Sequence, residues 1–357
     1  YRAALAEVVG PDDVVLDLGS GTGVIGLLAC EAGAKSIVAI DAGDIIDLAQ
    51  KIAAANGYAD RVRHIQAVST ETTLDPLADV VVCDQIGGLV HDAGILRYFA
   101  DAKRRLTTPD ARFVPAAFDI FAAPVTFDIA RDAIAFWSST PAGIDVRAAH
   151  ERAINTEWRY WLTASNVVRL ADGAPLASFP SYHDDAITGQ HEYVVSEANR
   201  FDGWLGWFVA EMSPSVRMTN SPWAEDRIQR WCSFLPFDEP CEVDAGDTLS
   251  FELDIRPRIG TVSWRTTIAT KGRPPRTVQQ STFNGQLLSR NTIASRITSV
   301  SVERTPRADT AAAILALIDG SRSQDDIVNE LLQRGDSGFV DRAALEAFVR
   351  RVVHIAT

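Results

Sequence analysis

Three glycines and two carboxylates surround one turn in the stretch VVLDLGSGTGVIGLLACEAGAKSIVAID, residues 14–41. Gly19, Gly21 and Gly23 free the backbone to reverse sharply and to bring bare N–H groups against a ligand. Two ligands suit such a turn. Residues 21–26 read G-x-G-x-x-G, the spacing that cradles a dinucleotide pyrophosphate, and Asp41 stands about where an acid would grip a ribose. Asp17, however, stands two positions before Gly19, and a carboxylate at the mouth of the loop repels a pyrophosphate. It attracts an ammonium instead. The two acids therefore favour S-adenosylmethionine, with Asp17 facing the ammonium of its methionine part and Asp41 its ribose hydroxyls. A turn with no ligand is the remaining reading.

The elements around this turn alternate. Val14, Val15 and Leu16 suit a buried parallel strand, Ile25, Leu28 and Ala29 recur at helical spacing, and residues 36–40 return as a strand that ends at Asp41. The periodicity predicts a helix over 45–56, a strand over 62–68, a buried strand over 79–84 and an amphipathic helix over 95–106, followed by a turn at Pro109 and Asp110. These elements make a doubly wound α/β parallel sheet of Rossmann-like form, whose ligands lie at the carboxyl ends of its strands. Beyond Pro115 the texture changes. Leu249, Phe251, Leu253 and Ile255 alternate with polar residues, as do Val262, Trp264, Thr266 and Ile268, which marks antiparallel strands with one wet face. The stretch from about 130 to 160 reads as helical. After residue 305 come three apolar helical stripes, with a stop at Asp319-Gly320 and a cap at Ser323 and Asp326. The predicted organisation is a donor-binding sheet over 1–117, a β-barrel-like region over 118–304 and a small helical domain over 305–357.

Composition narrows the partners. The chain has 357 residues, and its net charge of −13 argues against nucleic-acid binding. No apolar run approaches a membrane span, and no signal peptide is visible. Cys30, Cys83, Cys232 and Cys241 lack metal-type spacing, so reduced thiols in a cytoplasmic protein without a bound metal are expected. The sequence begins at Tyr1 rather than a methionine, close to the first strand, and a preceding N-terminal piece is expected.

The run D-x-G-x-G-x-G at Asp17 resembles the first motif of class I methyltransferases. The order of the later segments resembles the protein arginine methyltransferases. LTTPDARFVPAAFDIFAAPV, residues 106–125, is similar to their exit from the sheet into the barrel. FDGWLGWFVAEM and MTNSPWAEDRIQRWCSFLPFDEPCEVDAGDTLSFEL, residues 201–212 and 218–253, resemble their barrel through its Thr-His-Trp loop. FWSSTPAGIDVRAAHERA, residues 136–153, resembles the arm through which family members dimerise, with Trp137 as an exposed anchor. ILALIDGSRSQDDIVNEL, residues 314–331, resembles the helical part of PqqD-like domains, which bind leader peptides of ribosomally made natural products. A winged-helix-like or plain helical cap is the other reading of that tail.

The resemblance implies donor contacts from Asp17, Gly19, Gly21, Gly23 and Asp41, with Thr70 or Glu71 beside the adenine. It implies S-adenosylmethionine as donor and S-adenosylhomocysteine as product. Asp84 takes the place of the first glutamate of the family's double-glutamate loop. Nine residues on stands Ala93, preceded by His91 and Asp92, and Gln229-Arg230-Trp231 replaces Thr-His-Trp. The family's N-terminal helices lie outside this sequence. A guanidinium is held by paired carboxylates. One shorter acid, a second acid out of register and a cation in place of histidine make a poorer clamp, and Arg230 could bind an anionic group. The expected activity is N-methylation of a guanidino or amino nitrogen on a peptide or small-molecule acceptor by a homodimer. Asp84 would orient the nitrogen, and Asp92 or His91 would take the proton. The alternatives are O- or C-methylation of a small natural product, or a donor-binding module without catalysis.

Overall fold

The computed structural model describes residues 1–287, 306–333 and 342–356, in two compact units, Tyr1–Gly285 and Gln286–Thr357. In the first unit, α1 (Arg2–Val8) precedes β1 (Val14–Leu18), α2 (Val24–Glu31), β2 (Ser36–Asp41), α3 (Ile45–Ala55), β3 (Val62–Gln66), β4 (Ala78–Cys83), α4 (Ile95–Arg105) and β5 (Thr107–Val114). The five strands are parallel, in the order β3-β2-β1-β4-β5. β1 and β4 lie at the centre. The apolar runs Val14–Leu16 and Val80–Cys83 are buried within them, as a sheet covered on both faces requires.

Pro109 and Asp110 lie within β5, where the sequence suggested a turn. Among the described residues β5 is the edge of the sheet and pairs only with β4, with an irregular register between Ala78 and Val80. An edge strand tolerates a proline because one side of its backbone has no ladder to complete.

The antiparallel part follows at once, from β6 (Ala117–Thr126). Next come α5 (Asp128–Ala135), a series of short 3-10 turns, α6 (His150–Ile154), β7 (Trp158–Tyr160), β8 (Val168–Arg169), β9 (Ala174–Pro180), β10 (Ile187–Val194), β11 (Asn199–Glu211), β12 (Arg217–Thr219), β13 (Cys232–Val243), β14 (Thr248–Arg256), β15 (Thr261–Ala269) and β16 (Arg276–Ser281). One sheet has the order β7-β13-β11-β6-β8, with β12 on β11 and β9 on β6, and the other β10-β14-β15-β16. The predicted helix over 130–160 is thus two short helices and a strand. In that segment Phe136 and Ile144 are exposed, whereas Trp137 is half-buried against the apolar cluster beneath, so the outward aromatic is Phe136.

The alternating residues of β14 and β15 face inward as their period of two demands. Trp204 of β11 crosses the core to them. Its ring stacks on Phe251 at 4.3 Å, and its Nε1 donates to Thr266 Oγ1 at 2.8 Å. One apolar cluster runs from Leu5 beside the parallel sheet to Ile268 of β15. In the second unit α7 (Pro306–Leu317), α8 (Gln324–Gln333) and α9 (Arg342–Ala356) enclose their own cluster around Ile314, Val328 and Val349. Ser323 Oγ caps the Asp326 amide, and Asp326 returns the bond to Ser323, a reciprocal cap.

Trp204 is fully buried and joins two sheets, so Trp204→Ala should cost about 3–5 kcal/mol of stability. Thr266→Val, which strands a buried indole N–H, should cost about 1–3 kcal/mol. Urea unfolding measures both. A loss below ~1 kcal/mol for Trp204→Ala would show that the sheets do not pack through this ring.

Candidate active site

Four chain segments converge at the carboxyl ends of β1, β2 and β4. After β1 the amides of Gly19 and Ser20 both donate to Ile40 O, at 2.9 and 3.1 Å, which prolongs the pairing with β2 and starts the turn. Gly21 lies at φ 53, and a Cβ there would meet nothing within 4 Å, so the turn opens onto free space. Its amide donates to Asp41 Oδ2 at 2.8 Å, and the Gly43 amide donates to Asp41 Oδ1 at 2.8 Å. Gly23, also left-handed, stands at the N-terminus of α2. An open cleft follows, walled by Gly19, Asp41, Val68, Ser69, Gln85 and Tyr98 among others.

This cleft fits S-adenosylmethionine. It offers an acid at the end of β2 for a diol and the bare backbone of Gly19, and next along the turn the buried hydroxyl of Ser20 has no hydrogen-bond partner among the described residues. Two expected contacts are corrected. Val68 and Ser69 reach the wall, while Thr70 and the exposed Glu71 complete a 3-10 turn beyond it. Asp17 is not at the mouth of the loop. It is 1% exposed, and its Oδ2 accepts the Gly26 amide of α2 at 2.9 Å. Burial pushes its carboxyl up to about 7 against that hydrogen bond, with the charges of Asp41 and Asp84 adding to the rise.

The loop after β4, residues 84–94, forms the opposite side. Gln85 walls the donor cleft, and Asp84 precedes it. Arg230 meets Asp84 twice, with Nη2 2.7 Å from Oδ1 and Nη1 3.3 Å from the main-chain oxygen. Tyr1 Oη donates to Cys83 O at 2.8 Å and lies 3.4 Å from Asp84 Oδ1. Further on, buried Val90 is held at φ 68, a left-handed conformation that a β-branched side chain rarely adopts. Beyond it the next two side chains meet the antiparallel sheet. Asp92, 2% exposed, accepts the Gly88 amide at 2.9 Å and the Trp231 indole at 3.4 Å, and pairs with Arg159 Nη2 at 3.1 Å. His91 Nε2 lies 3.0 Å from Glu157 Oε2, with both side chains buried, and Ser233 donates to the other carboxylate oxygen. Burial opposes the charged form of His91, but the charge and hydrogen bond of Glu157 outweigh it, and the His91 pKa is raised.

Asp92 and His91, the two residues named for taking the proton, thus each hold a charged partner, as side chains buried to this depth require. Trp231 closes the site. Its ring meets the exposed Trp161 edge-on at 5.7 Å, and the Arg159 guanidinium lies 5.9 Å from its centre. Among the described residues no group of three or more His, Cys, Asp or Glu side chains could hold a metal ion, and no helix is long and apolar enough to cross a membrane.

The model of the family described as ribosomal protein L11 methyltransferase (PrmA) matches residues 3–114. A probable histone-arginine methyltransferase 1.3 of Arabidopsis thaliana is 24% identical over 240 residues, 62% of this chain and 42% of that protein. The protein arginine N-methyltransferase 6 of Danio rerio is 32% identical over 136 residues, 37% and 39% of the two chains. This chain spans about two fifths of the length of each of these curated relatives. In the solved PRMT1 enzyme–prozyme heterotetrameric complex with AdoHcy from Trypanosoma brucei, the matching chain shares the fold. Its TM-score is 0.68 at 20% identity, over 79% of this chain and 93% of that one. The first of these similarities runs on past the donor sheet, which alone is common to many methyltransferases. The chain is therefore similar to protein arginine methyltransferases through the donor sheet and into the antiparallel region.

Against that family's pattern, the structure brings together Asp84 and Arg230, and separately Asp92 and Trp231. It also assembles residues that the sequence reading missed. Glu157, Arg159, Ser233 and Asn220 come from distant strands and loops, and only β7–β13 pairing sets Arg159 opposite Ser233. A weak signal existed for Glu157, a charged residue inside the aromatic-rich run TEWRYW, since such residues are buried only when paired.

The burial of Asp17 has a measurable consequence. An unfolded aspartate releases its proton near pH 4 (about 3.9), whereas native Asp17 holds it to about 7. Between these values the native state binds the extra proton, so stability contributed by this group falls as pH rises. Asp17→Asn removes the titration and keeps an acceptor for Gly26. The difference in unfolding free energy should move in the variant's favour between about pH 4 and 7, by on the order of a few kcal/mol, and stay level above. A difference that is flat from pH 4 to 8 would contradict the burial.

Proposed function

We propose that this chain transfers a methyl group from S-adenosylmethionine to a nitrogen of a peptide or amino-acid-derived acceptor. The observation that carries this reading is one of adjacency. Gly19, Asp41 and Gln85 wall one cleft at the carboxyl ends of the central strands, and Asp84 continues from Gln85 toward the loop of Arg230 and Trp231. When bound, S-adenosylmethionine supplies an electrophilic methyl group on a cationic sulfur. The chain's contribution is positioning. Asp41 would hold the ribose hydroxyls, the backbone of the glycine turn and Ser20 would receive the methionine end, and Asp84 with Trp231 would define where the nitrogen enters. Fixing both reactants in this way is a large share of the catalysis available to a transfer that needs no covalent enzyme intermediate.

The similarity to proteins named as arginine methyltransferases supports nitrogen as the methylated atom. Exposed Phe136 and Ile144 support a homodimer built on the segment around residues 136–148, and four unpaired cysteines are consistent with a cytoplasmic setting.

Asp41→Ala should weaken S-adenosylmethionine binding by about 1–3 kcal/mol, the scale for a hydrogen-bonding site left without its partner. Calorimetry on the wild type and the variant measures it, with NAD as the control that should not bind. An unchanged donor affinity in the variant, or tight NAD binding to the wild type, would overturn the donor assignment.

A further inference from the structure

S-adenosylmethionine ends in an ammonium and a carboxylate, and the acid expected to face that ammonium is turned away. Asp17 is buried, with Oδ2 on the Gly26 amide of α2. Among the residues that wall the donor cleft, four side chains carry polar atoms: Asp41, Ser69, Gln85 and Tyr98. Strand order separates them. Asp41 ends β2 and Ser69 follows β3, so with Asp41 on the diol the nucleoside lies on the β2–β3 side of the sheet. Tyr98 stands on α4. Gln85 follows β4, which lies across β1 from β2, on the side toward which the rest of the donor extends.

Register sets Gln85 against the glycine turn. Leu18 and Cys83 are partners at the ends of β1 and β4, so the chain leaves both strands side by side. A Cβ on Gly19 would lie 2.3 Å from Gln85 Nε2 and 2.8 Å from its Cδ, so the carboxamide packs directly on Gly19. The main chain of Gln85 is tied down, its amide to Cys83 Sγ at 3.4 Å and its carbonyl to the Ile95 amide at 3.3 Å. Its carboxamide is not. Among the described residues that group has no hydrogen-bond partner, although it carries two N–H donors and an acceptor oxygen. An amino-acid head has matching needs, since its ammonium requires acceptors and its carboxylate requires donors. A carboxamide offers both and, being neutral, does not oppose the cationic sulfur. Hydrogen bonds with one ionised partner are also the stronger kind.

We propose that Gln85 recognises the amino-acid end of the donor, its Oε1 accepting from the ammonium and its Nε2 donating to the carboxylate. The inference rests on the methyl-transfer reading and adds to it a donor-binding residue outside the glycine motif. It also gives the loop after β4 two adjacent tasks. Asp84 is held by Arg230 on the acceptor side, and Gln85 reaches back over Gly19 to the donor. One short segment then sets the spacing between the two reactants.

Calorimetric titration of the full chain tests this with two ligands, S-adenosylhomocysteine and methylthioadenosine, the same thioether nucleoside without the amino-acid head. Gln85→Met keeps the length of the side chain and removes both hydrogen-bonding atoms. It should weaken S-adenosylhomocysteine by about tenfold or more, the scale of hydrogen bonds to charged groups, and change methylthioadenosine by less than about twofold. Gln85→Ala should give the same split, and thermal melting checks that each variant folds. Equal losses for the two ligands would overturn the proposal, because they would put the effect on the nucleoside or on the fold. So would an S-adenosylhomocysteine affinity that is unchanged or tighter in the variants, the sign of a side chain that only fills the cleft. A wild-type chain that binds neither ligand would instead overturn the donor assignment on which the proposal rests.

Discussion

The side-chain amide of Asn220 is buried where the parallel sheet meets the antiparallel one, and it cannot be left unpaired there. Its oxygen accepts the Phe208 amide at 2.8 Å, and its nitrogen donates to Gly88 O at 3.0 Å and to Trp231 O at 2.8 Å. A buried polar atom that loses its partner costs about 1–3 kcal/mol, so three such bonds fix the loop after β4 against the loop before β13. Asp92 makes the same connection from the other side, between the Gly88 amide and the Trp231 indole. Gly88 is needed at this crossing because a Cβ there would lie 2.4 Å from Trp231 Cδ1. The conformation of Val90, which costs of order 1–3 kcal/mol, persists because these contacts over-determine the loop.

This junction turns two loops of different origin into one site. β4 delivers Asp84 beside the donor cleft, and β13 begins one residue after Trp231, so the pairing of β13 with β7 brings Glu157 and Arg159 to the same place. The resulting cluster is compensated charge by charge. That is a condition of its burial, since an ionised side chain taken out of water persists only with a close partner. Asp17 shows the other outcome. It has one backbone donor and no cation, and it answers burial by holding its proton toward neutral pH.

The glycine turn of the donor half was legible in the sequence because its contributions are local. The glycine turn, its preceding strand and Asp41 lie within 28 residues, and the apolar runs of β1 and β4 have no alternative to a buried parallel sheet. The same holds for the inward faces of β14 and β15, where a period of two specifies which side chains meet the core. The segment order was enough to anticipate a parallel sheet followed by antiparallel strands. Local pattern failed where tertiary contacts set the outcome. Pro109 reads as a turn until β5 is known to be an edge strand, and residues 130–160 read as helix until β13 offers a partner to β7.

From sequence alone, Asp84, His91, Asp92, Arg230 and Trp231 could be named as candidates, because the resemblance to the arginine methyltransferases aligns them with two short loops. Their pairing could not. Which acid meets which cation depends on contacts between residues 146 apart for Asp84 and Arg230, and 66 apart for His91 and Glu157. No periodicity reports such distances. Asp17 makes the same point at short range, since its number in the motif does not say whether its carboxylate faces the ligand or the first turn of α2. Sequence determined the elements and the inventory of chemical groups, because hydrophobic period and backbone freedom act over a few residues. Tertiary structure decided which groups are charged, paired and open to a ligand, because burial and partner geometry arise only when distant segments pack.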